Sequence, residues 1–250
     1  MNRLFAFYEG HIALREENGQ LRVPQTFDGI PTEDIAGVIH LEDNNVATSL
    51  YNEEQLASHG LGLFDIRASR LQIPEEEFNA LCRAKQILFW HNNTLYCPTC
   101  GEATHRSDFI EKKCPKCGHL SYPPLAPAII VRVEKGEDEI LMVRAKNFRS
   151  DHYGLVAGFL EPGESLEECV ERELMEETGI RVKNIKYEGS QPWPFPCGVM
   201  IGFSAQYLSG EIHKQESELV DAQFFHRNAL PKLPDGMSIA RQLIDAWIKK

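Results

Sequence analysis

The chain of 250 residues contains no apolar run approaching the 18 or so residues that a membrane-crossing helix requires, which excludes such a helix. The opening stretch, Met1 to Glu9, has too short an apolar run for a secretory signal, and the expected compartment is the cytoplasm. Positive charge is scarce: 26 Lys and Arg stand against 37 Asp and Glu, a net charge of −11. That deficit opposes nonspecific binding to nucleic acid or anionic membrane, which needs Lys and Arg to neutralise phosphates. One nucleotide in a pocket is still compatible, if something positive such as a metal ion stands between it and the protein. Internal repeats and low-complexity tracts are missing. Cysteine is sparse, seven in all, yet four of the seven fall in two tight pairs.

The rest has the composition of a folded globular protein, 42% hydrophobic and 25% charged. Alternating segments at Leu4 to Tyr8, His11 to Arg15 and Val38 to Leu41 predict strands of a small amino-terminal sheet. Pro74 and an acidic first turn open a helix from about Glu75 to Trp90, with Phe78, Leu81, Cys82, Lys85 and Leu88 at helical spacing. After Pro123-Pro124, strands are predicted at Ala128 to Val133, Ile140 to Arg144, Tyr153 to Phe159, Val199 to Tyr207 and Ala222 to Phe225. Helices are predicted over Ser165 to Thr178 and Ser238 to Ile248, the second with Ile239, Leu243, Ile244 and Trp247 on one face. Three parts are expected: an amino-terminal domain over 1–93, a metal module over 94–122 and an α/β domain over 123–250.

Cys97-Pro98-Thr99-Cys100 and Cys114-Pro115-Lys116-Cys117, thirteen residues apart, have zinc-ribbon spacing. Four thiolates close a tetrahedral shell with no open position, so the expected Zn²⁺ is structural. Disulfides fit a reducing compartment poorly. Cys82, Cys169 and Cys197 read as core or loop residues, and His105 and His119 as surface ones.

The densest chemistry runs from Gly158 to Ile180. Ser165 is a natural N-cap, Glu168 completes a capping box and Gly179 is a natural terminator. Glu173 and Glu177, four apart, share a helix face with Glu176 on its edge. Like charges at that spacing repel, and hard cations with oxygen ligands remove the repulsion. Arg172 can hold one carboxylate in place. A solvated acidic face is the plain alternative for three Glu alone. The full pattern, Gly-x5-Glu-x7-Arg-Glu-apolar-x-Glu-Glu-x-Gly-apolar, is met at every position, and its chance occurrence in this chain is on the order of 10⁻⁷ at average residue frequencies.

That pattern is the Nudix box, and the chain resembles the Nudix hydrolases. The resemblance implies a mixed α/β (α+β) fold class: a Nudix α/β/α sandwich with a zinc ribbon and a small amino-terminal α/β domain. It implies hydrolysis of a nucleoside diphosphate linked to another moiety, with catalytic Mg²⁺ or Mn²⁺. Carried over by position, Glu173, Glu176 and Glu177 form the catalytic set. Glu173, Glu177 and the Ala157 carbonyl are metal ligands, Glu176 is a ligand or the base, and Glu164 supports the loop.

Downstream lies Ser190-Gln191-Pro192-Trp193-Pro194-Phe195-Pro196-Cys197-Gly198. Alternating prolines fix φ and remove donors, which predicts a stiff extended loop and not a central strand. Its aromatic faces suit a purine or nicotinamide ring, or they cap the core. Here the chain is similar to the NADH pyrophosphatase branch, which carries Ser-Gln-Pro-Trp-Pro-Phe-Pro-x-Ser and from which it departs at Gly198. That similarity implies substrate contacts at Gln191, Pro192, Trp193, Pro194, Phe195, Pro196, Cys197, Gly198, Tyr122 and Ala240, and by a looser match at Arg67. It also implies a metal contact at Glu218. Glu216 and Glu218 share a side if their segment is extended.

The implied activity is cleavage of NADH, and of NAD, to nicotinamide mononucleotide and AMP, with removal of NAD caps from RNA 5′ ends as a second activity. A homodimer without membrane association is implied as well. Two rivals keep less of this: a diphosphatase for a nucleotide sugar or dinucleoside polyphosphate, and a non-catalytic nucleotide or RNA binding module. Against the second, the box keeps every Glu and its Arg.

Overall fold

The computed structural model describes residues 3–25, 35–42, 45–50, 56, 60–148, 150–234 and 236–250. The chain divides into two compact units, Met1–Leu125 with Pro192–Cys197, and Ala126–Gln191 with Gly198–Lys250.

In the first unit, β1 (Leu4–Tyr8), β2 (His11–Glu17), β3 (Gln20–Arg22), β4 (Ile35–His40), β5 (Val46–Leu50) and β6 (Gly62–Asp65) form one sheet. Strand alternation splits its side chains between two apolar clusters. Phe5, Phe7, Ile12 and Leu14 pack with Phe78, Leu81, Cys82 and Leu88 of α1 (Glu75–Asn93), whereas Leu4, Ala6 and Ala13 enter the cluster on the other face. The helix runs three residues beyond the expected Trp90 because its end is capped. Asn93 donates to the Phe89 carbonyl, Thr94 to that of Trp90, and the buried Lys112 ammonium to those of His91 (2.8 Å) and Thr94 (3.1 Å). Lys112 lies on β8 (Glu111–Lys113), the middle strand of a small sheet with β7 (His105–Asp108) and β9 (Leu120–Ser121).

In the second unit, β10 (Ala126–Lys135), β11 (Glu139–Ala145), β12 (Val156–Phe159), β13 (Arg181–Trp193), β14 (Gly198–Ser209) and β15 (Leu219–His226) build a mixed sheet in the order β13-β14-β10-β11-β15, with β12 on β10. β10 pairs parallel with β14 and antiparallel with β11 and β12. Alternate residues of β10 and β11 serve opposite helices. Ile129, Val131, Val133, Leu141 and Val143 pack with Cys169, Val170 and Leu174 of α2 (Leu166–Thr178). Ile130, Ile140 and Met142 pack with Ile239, Leu243, Ile244 and Trp247 of α3 (Ile239–Ile248). A helix on each face of the sheet is the expected α/β/α sandwich.

Three local expectations need correction. The strand expected from Tyr153 begins only at Val156, because Gly154 makes an isolated bridge to Val143. The extended stretch ahead of the aromatic loop is the edge strand β13, which reaches Trp193 and leaves Pro194 to Cys197 as the turn. Glu216 and Glu218 do not share a strand face, since both lie in the turn before β15.

Candidate active site

Helix α2 is built as its sequence dictates. Ser165 caps it reciprocally with Glu168, and Gly179 closes it at φ 73°, a left-handed conformation that costs a residue with a Cβ about 1 kcal/mol. Arg172 is the hub of the first turns. Its guanidinium donates twice to Glu164 (2.5 and 3.1 Å), once each to Glu173 (2.8 Å) and Glu176 (3.1 Å), and once to the Phe159 carbonyl (2.9 Å). Glu164 also accepts the Glu161 N–H, and the Arg172 bonds together with that amide hold its carboxyl down at about 2. Glu164 therefore stays charged and fixes the loop before the helix.

Gly158 is required by the same arrangement. A Cβ there would overlap the Glu173 carboxylate, which lies across the glycine's bare face. Gly158→Ala must displace that carboxylate, and an expected loss of kcat of about 100-fold follows from such a misplacement. Steady-state rates across a Mg²⁺ titration check this, and a variant with unchanged kcat contradicts the placement.

One turn further along, Glu177 is buried, 6% exposed. Burial, aided by the charges of Glu173, Glu218 and Glu176, lifts its carboxyl to about 8. Burial also raises Glu173, against the pull of Arg172. Glu218 comes alongside because its turn is fastened from two directions. The His213 and Gln215 amides donate to the Thr178 and Glu177 carbonyls at the end of α2, both at 2.9 Å. Lys146 donates its amide to the Glu218 carbonyl (2.8 Å) and its ammonium to that of Glu216 (2.5 Å). The Glu216 carboxylate is taken by Lys214. Ala157, exposed on β12, pairs with Ile130.

These donors fit a hard divalent cation. They are oxygen groups, and Glu177 keeps its negative charge at neutral pH only where further positive charge is supplied. Among the described residues, the four cysteines are the group of His, Cys, Asp or Glu whose ligand atoms all lie within 4.8 Å of one another. The acidic set is more open, with Glu173 drawn to Arg172.

The cysteine Sγ atoms lie 3.5 to 3.6 Å apart where they touch. A tetrahedral shell with Zn–S bonds near 2.3 Å has sulfur–sulfur edges of about 3.8 Å, so the cluster fits that ion. Each pair is a knuckle of the same form, with the Gly101 and Gly118 amides donating to the Cys97 and Cys114 carbonyls. His105 is exposed and His119 partly so.

The predicted substrate contacts have distinct surroundings. Trp193 and Phe195 meet edge to face, centroids 5.2 Å apart, and the Arg67 guanidinium lies 4.1 Å from the Phe195 centroid and 5.1 Å from that of Trp193. Tyr122 is 53% exposed, and its hydroxyl donates to Glu111 at 2.8 Å. Pro192 and Pro196 are exposed, Pro194 is buried and Cys197 is intermediate. Gln191 is buried in the other unit with Gly198. Its amide donates to the Met237 carbonyl and accepts the Ile239 N–H, both at 3.1 Å, which ties β13 to the start of α3 beside Ala240. Two participants escaped sequence reasoning. Lys146 has no motif to mark it. Lys85, 4.2 Å from the Phe195 centroid, had one: a lysine on the apolar stripe of α1.

The NUDIX domain family matches residues 123–247. NAD-capped RNA hydrolase NudC of Pseudomonas aeruginosa is 43% identical over 199 residues, 79% of this chain and 71% of that protein. The chain belongs to the Nudix family. Within it, the NudC branch is its place: the Haemophilus influenzae NudC is 45% identical over 184 residues (72% of this chain, 69% of that one). The NudC of Pseudomonas syringae is 40% identical over 222 residues, 88% of this chain and 78% of that one. The fold is shared with a Nudix hydrolase crystal structure from Nitrosomonas europaea, TM-score 0.52 at 21% identity, covering 62% of this chain and 90% of that one. Nudix hydrolases need divalent metal ions.

Proposed function

We propose that this Nudix protein hydrolyses the diphosphate of NADH and NAD to nicotinamide mononucleotide and AMP, and removes NAD caps from RNA 5′ ends. The observation that carries the reading is the carboxylate face of α2, a helix matching the Nudix box throughout, where Glu173 and the buried Glu177 stand with Glu218 of the turn before β15 alongside. Glu173, Glu177, Glu218 and the Ala157 carbonyl are the groups that would hold the catalytic ion. When bound, Mg²⁺ or Mn²⁺ neutralises the diphosphate and makes a water more acidic. Hydrolysis adds one water across the diphosphate: its oxygen joins one phosphorus, the bridging P–O bond breaks, and the two mononucleotides leave as separate phosphates. Glu176, its side chain 54% exposed and steadied by Arg172, is the residue that would take the water's proton. Trp193 and Phe195, with Tyr122 and Arg67 of the same unit, supply the ring and sugar contacts.

The four cysteines hold Zn²⁺, which keeps them reduced and suits the cytoplasm. No helix among the described residues is long and apolar enough to cross a membrane. The working form is a homodimer. Light scattering is expected to give twice the 28.4 kDa chain mass, and a monomer at catalytic concentration contradicts it.

Product analysis after incubating the purified protein with NADH and Mn²⁺ tests the activity. AMP and reduced nicotinamide mononucleotide in equal amounts are expected. Turnover of nucleotide sugars or diadenosine compounds in preference to NADH moves the substrate elsewhere, and the absence of turnover on any of them leaves a binding module.

A further inference from the structure

On its β11 side, the turn that carries Glu218 is held by one residue. Strand β11 ends at Ala145, and the next amide, that of Lys146, donates to the Glu218 carbonyl at 2.8 Å. The Lys146 ammonium reaches two residues back along the turn, to the Glu216 carbonyl at 2.5 Å. Backbone and side chain of a single residue thus grip both ends of Glu216-Ser217-Glu218. The Glu216 carboxylate is paired with Lys214, 3.1 Å away, which leaves the Lys146 ammonium to the backbone. Just beyond the turn, the pairing of β11 with β15 passes from Ala145 opposite Leu219 to Arg144 opposite Asp221, so Val220 is one residue too many. A bulge of this kind bends its strand and redirects the side chains beside it.

Glu218 has no contact of its own to fix its carboxylate. The residue is exposed, and its carboxylate accepts no hydrogen bond and forms no ion pair among the described residues. The charges it feels are those of Glu173 and Glu177, which repel it. Its direction is therefore inherited from the backbone of the turn. We propose that Lys146 is a positioning residue for the divalent ion: by holding the 216–218 backbone it keeps the Glu218 carboxylate ready for the ion that Glu173 and Glu177 would share. The inference rests on the reading of these three glutamates as ligands of the catalytic ion. With the turn loosened, only a fraction of the molecules has Glu218 in place, and the apparent affinity for the ion falls by that fraction. Every residue in this argument belongs to the second unit.

Lys146→Met keeps the apolar stem and removes the ammonium. The amide bond to the Glu218 carbonyl survives, because any residue except proline supplies that donor. Mn²⁺ affinity is read without substrate, from the EPR signal of free Mn²⁺, in the wild type, Lys146→Met, Glu218→Gln and the double variant. The Kd for Mn²⁺ is expected to rise about three- to tenfold in Lys146→Met, at the low end of what losing an outer-shell partner costs, because this bond is exposed. In turnover, the half-activating Mn²⁺ concentration should rise by the same factor, while kcat at saturating Mn²⁺ holds. Added to Glu218→Gln, Lys146→Met should weaken binding no further, since its effect passes through Glu218. An unchanged Kd in Lys146→Met overturns the proposal. So does an equal loss on the Glu218→Gln background, which makes Lys146 a general brace of the site. If Glu218→Gln alone binds Mn²⁺ as the wild type does, Glu218 is no ligand, and the reading beneath the proposal has failed, which is a separate result.

Discussion

Glu177→Gln should abolish turnover while making the metal-free protein more stable at alkaline pH. Gln fills the same space and stays neutral, so it is a poor ligand for a hard cation, and kcat should drop about a thousandfold or more. The stability gain follows from linkage. Burial, with Glu173, Glu218 and Glu176, raises the folded pKa of Glu177 from 4.5 to about 8. The folded chain then binds this proton more tightly than the unfolded one, so stability falls as pH rises from 4.5 through about 8. In chelator at pH 5, wild type and variant should melt nearly together. At pH 8.5 the variant should be ahead by on the order of 2 kcal/mol, a value reduced from the full linkage for screening, or roughly 5 °C.

Added Mg²⁺ should stabilise the wild type, because a ligand of the native state alone raises its stability, and should do far less for the variant. Melting curves at pH 5 and 8.5, with and without Mg²⁺, check all of this. Equal melting temperatures at pH 8.5 in chelator mean that Glu177 is not held at the cost of its charge. Retained turnover in the variant removes it from the catalytic set.

How much of this was legible in the sequence follows from how local each cause is. Helix α2 is set by neighbours within four residues, so its caps, its acidic face and its terminator could be read directly. The β10 and β11 cores could be read as strands, although their continuous apolar runs did not reveal that alternate residues serve α2 and α3. The edge strand β13 went unseen because its residues are mostly exposed, with Arg181, Lys183, Lys186 and Glu188 among them, as edge strands tend to be, and so lack an apolar alternation. Glu218 was singled out by position in the resemblance, and its route to Glu177 runs through backbone bonds from His213 and Gln215 that no side-chain pattern encodes. The cation partners of Phe195, Arg67 and Lys85, lie more than a hundred residues earlier, on β6's flank and on α1, where only tertiary structure joins them.

Removing the metal from the cysteine cluster should unfold residues 94–122 and leave the Nudix fold standing. The strands β7, β8 and β9 have four, three and two residues, and in them Lys112 is the residue that is fully buried. Three strands so short cannot hold themselves by apolar burial, and Cys97 and Cys114 form the inside of the module. The second unit has its own two clusters around α2 and α3, and neither includes Cys97, Cys100, Cys114 or Cys117. Hydrogen exchange after treatment with a zinc chelator, or in Cys114→Ser, is therefore expected to show free exchange over 94–122 and native protection in β10, β11 and α2. The end of α1 should fray as well, because Lys112 no longer reaches the His91 and Thr94 carbonyls and the Trp90 indole loses its bond to Ser121. Protection that survives chelation across 94–122 means that the four sulfurs are packed together by something other than an ion.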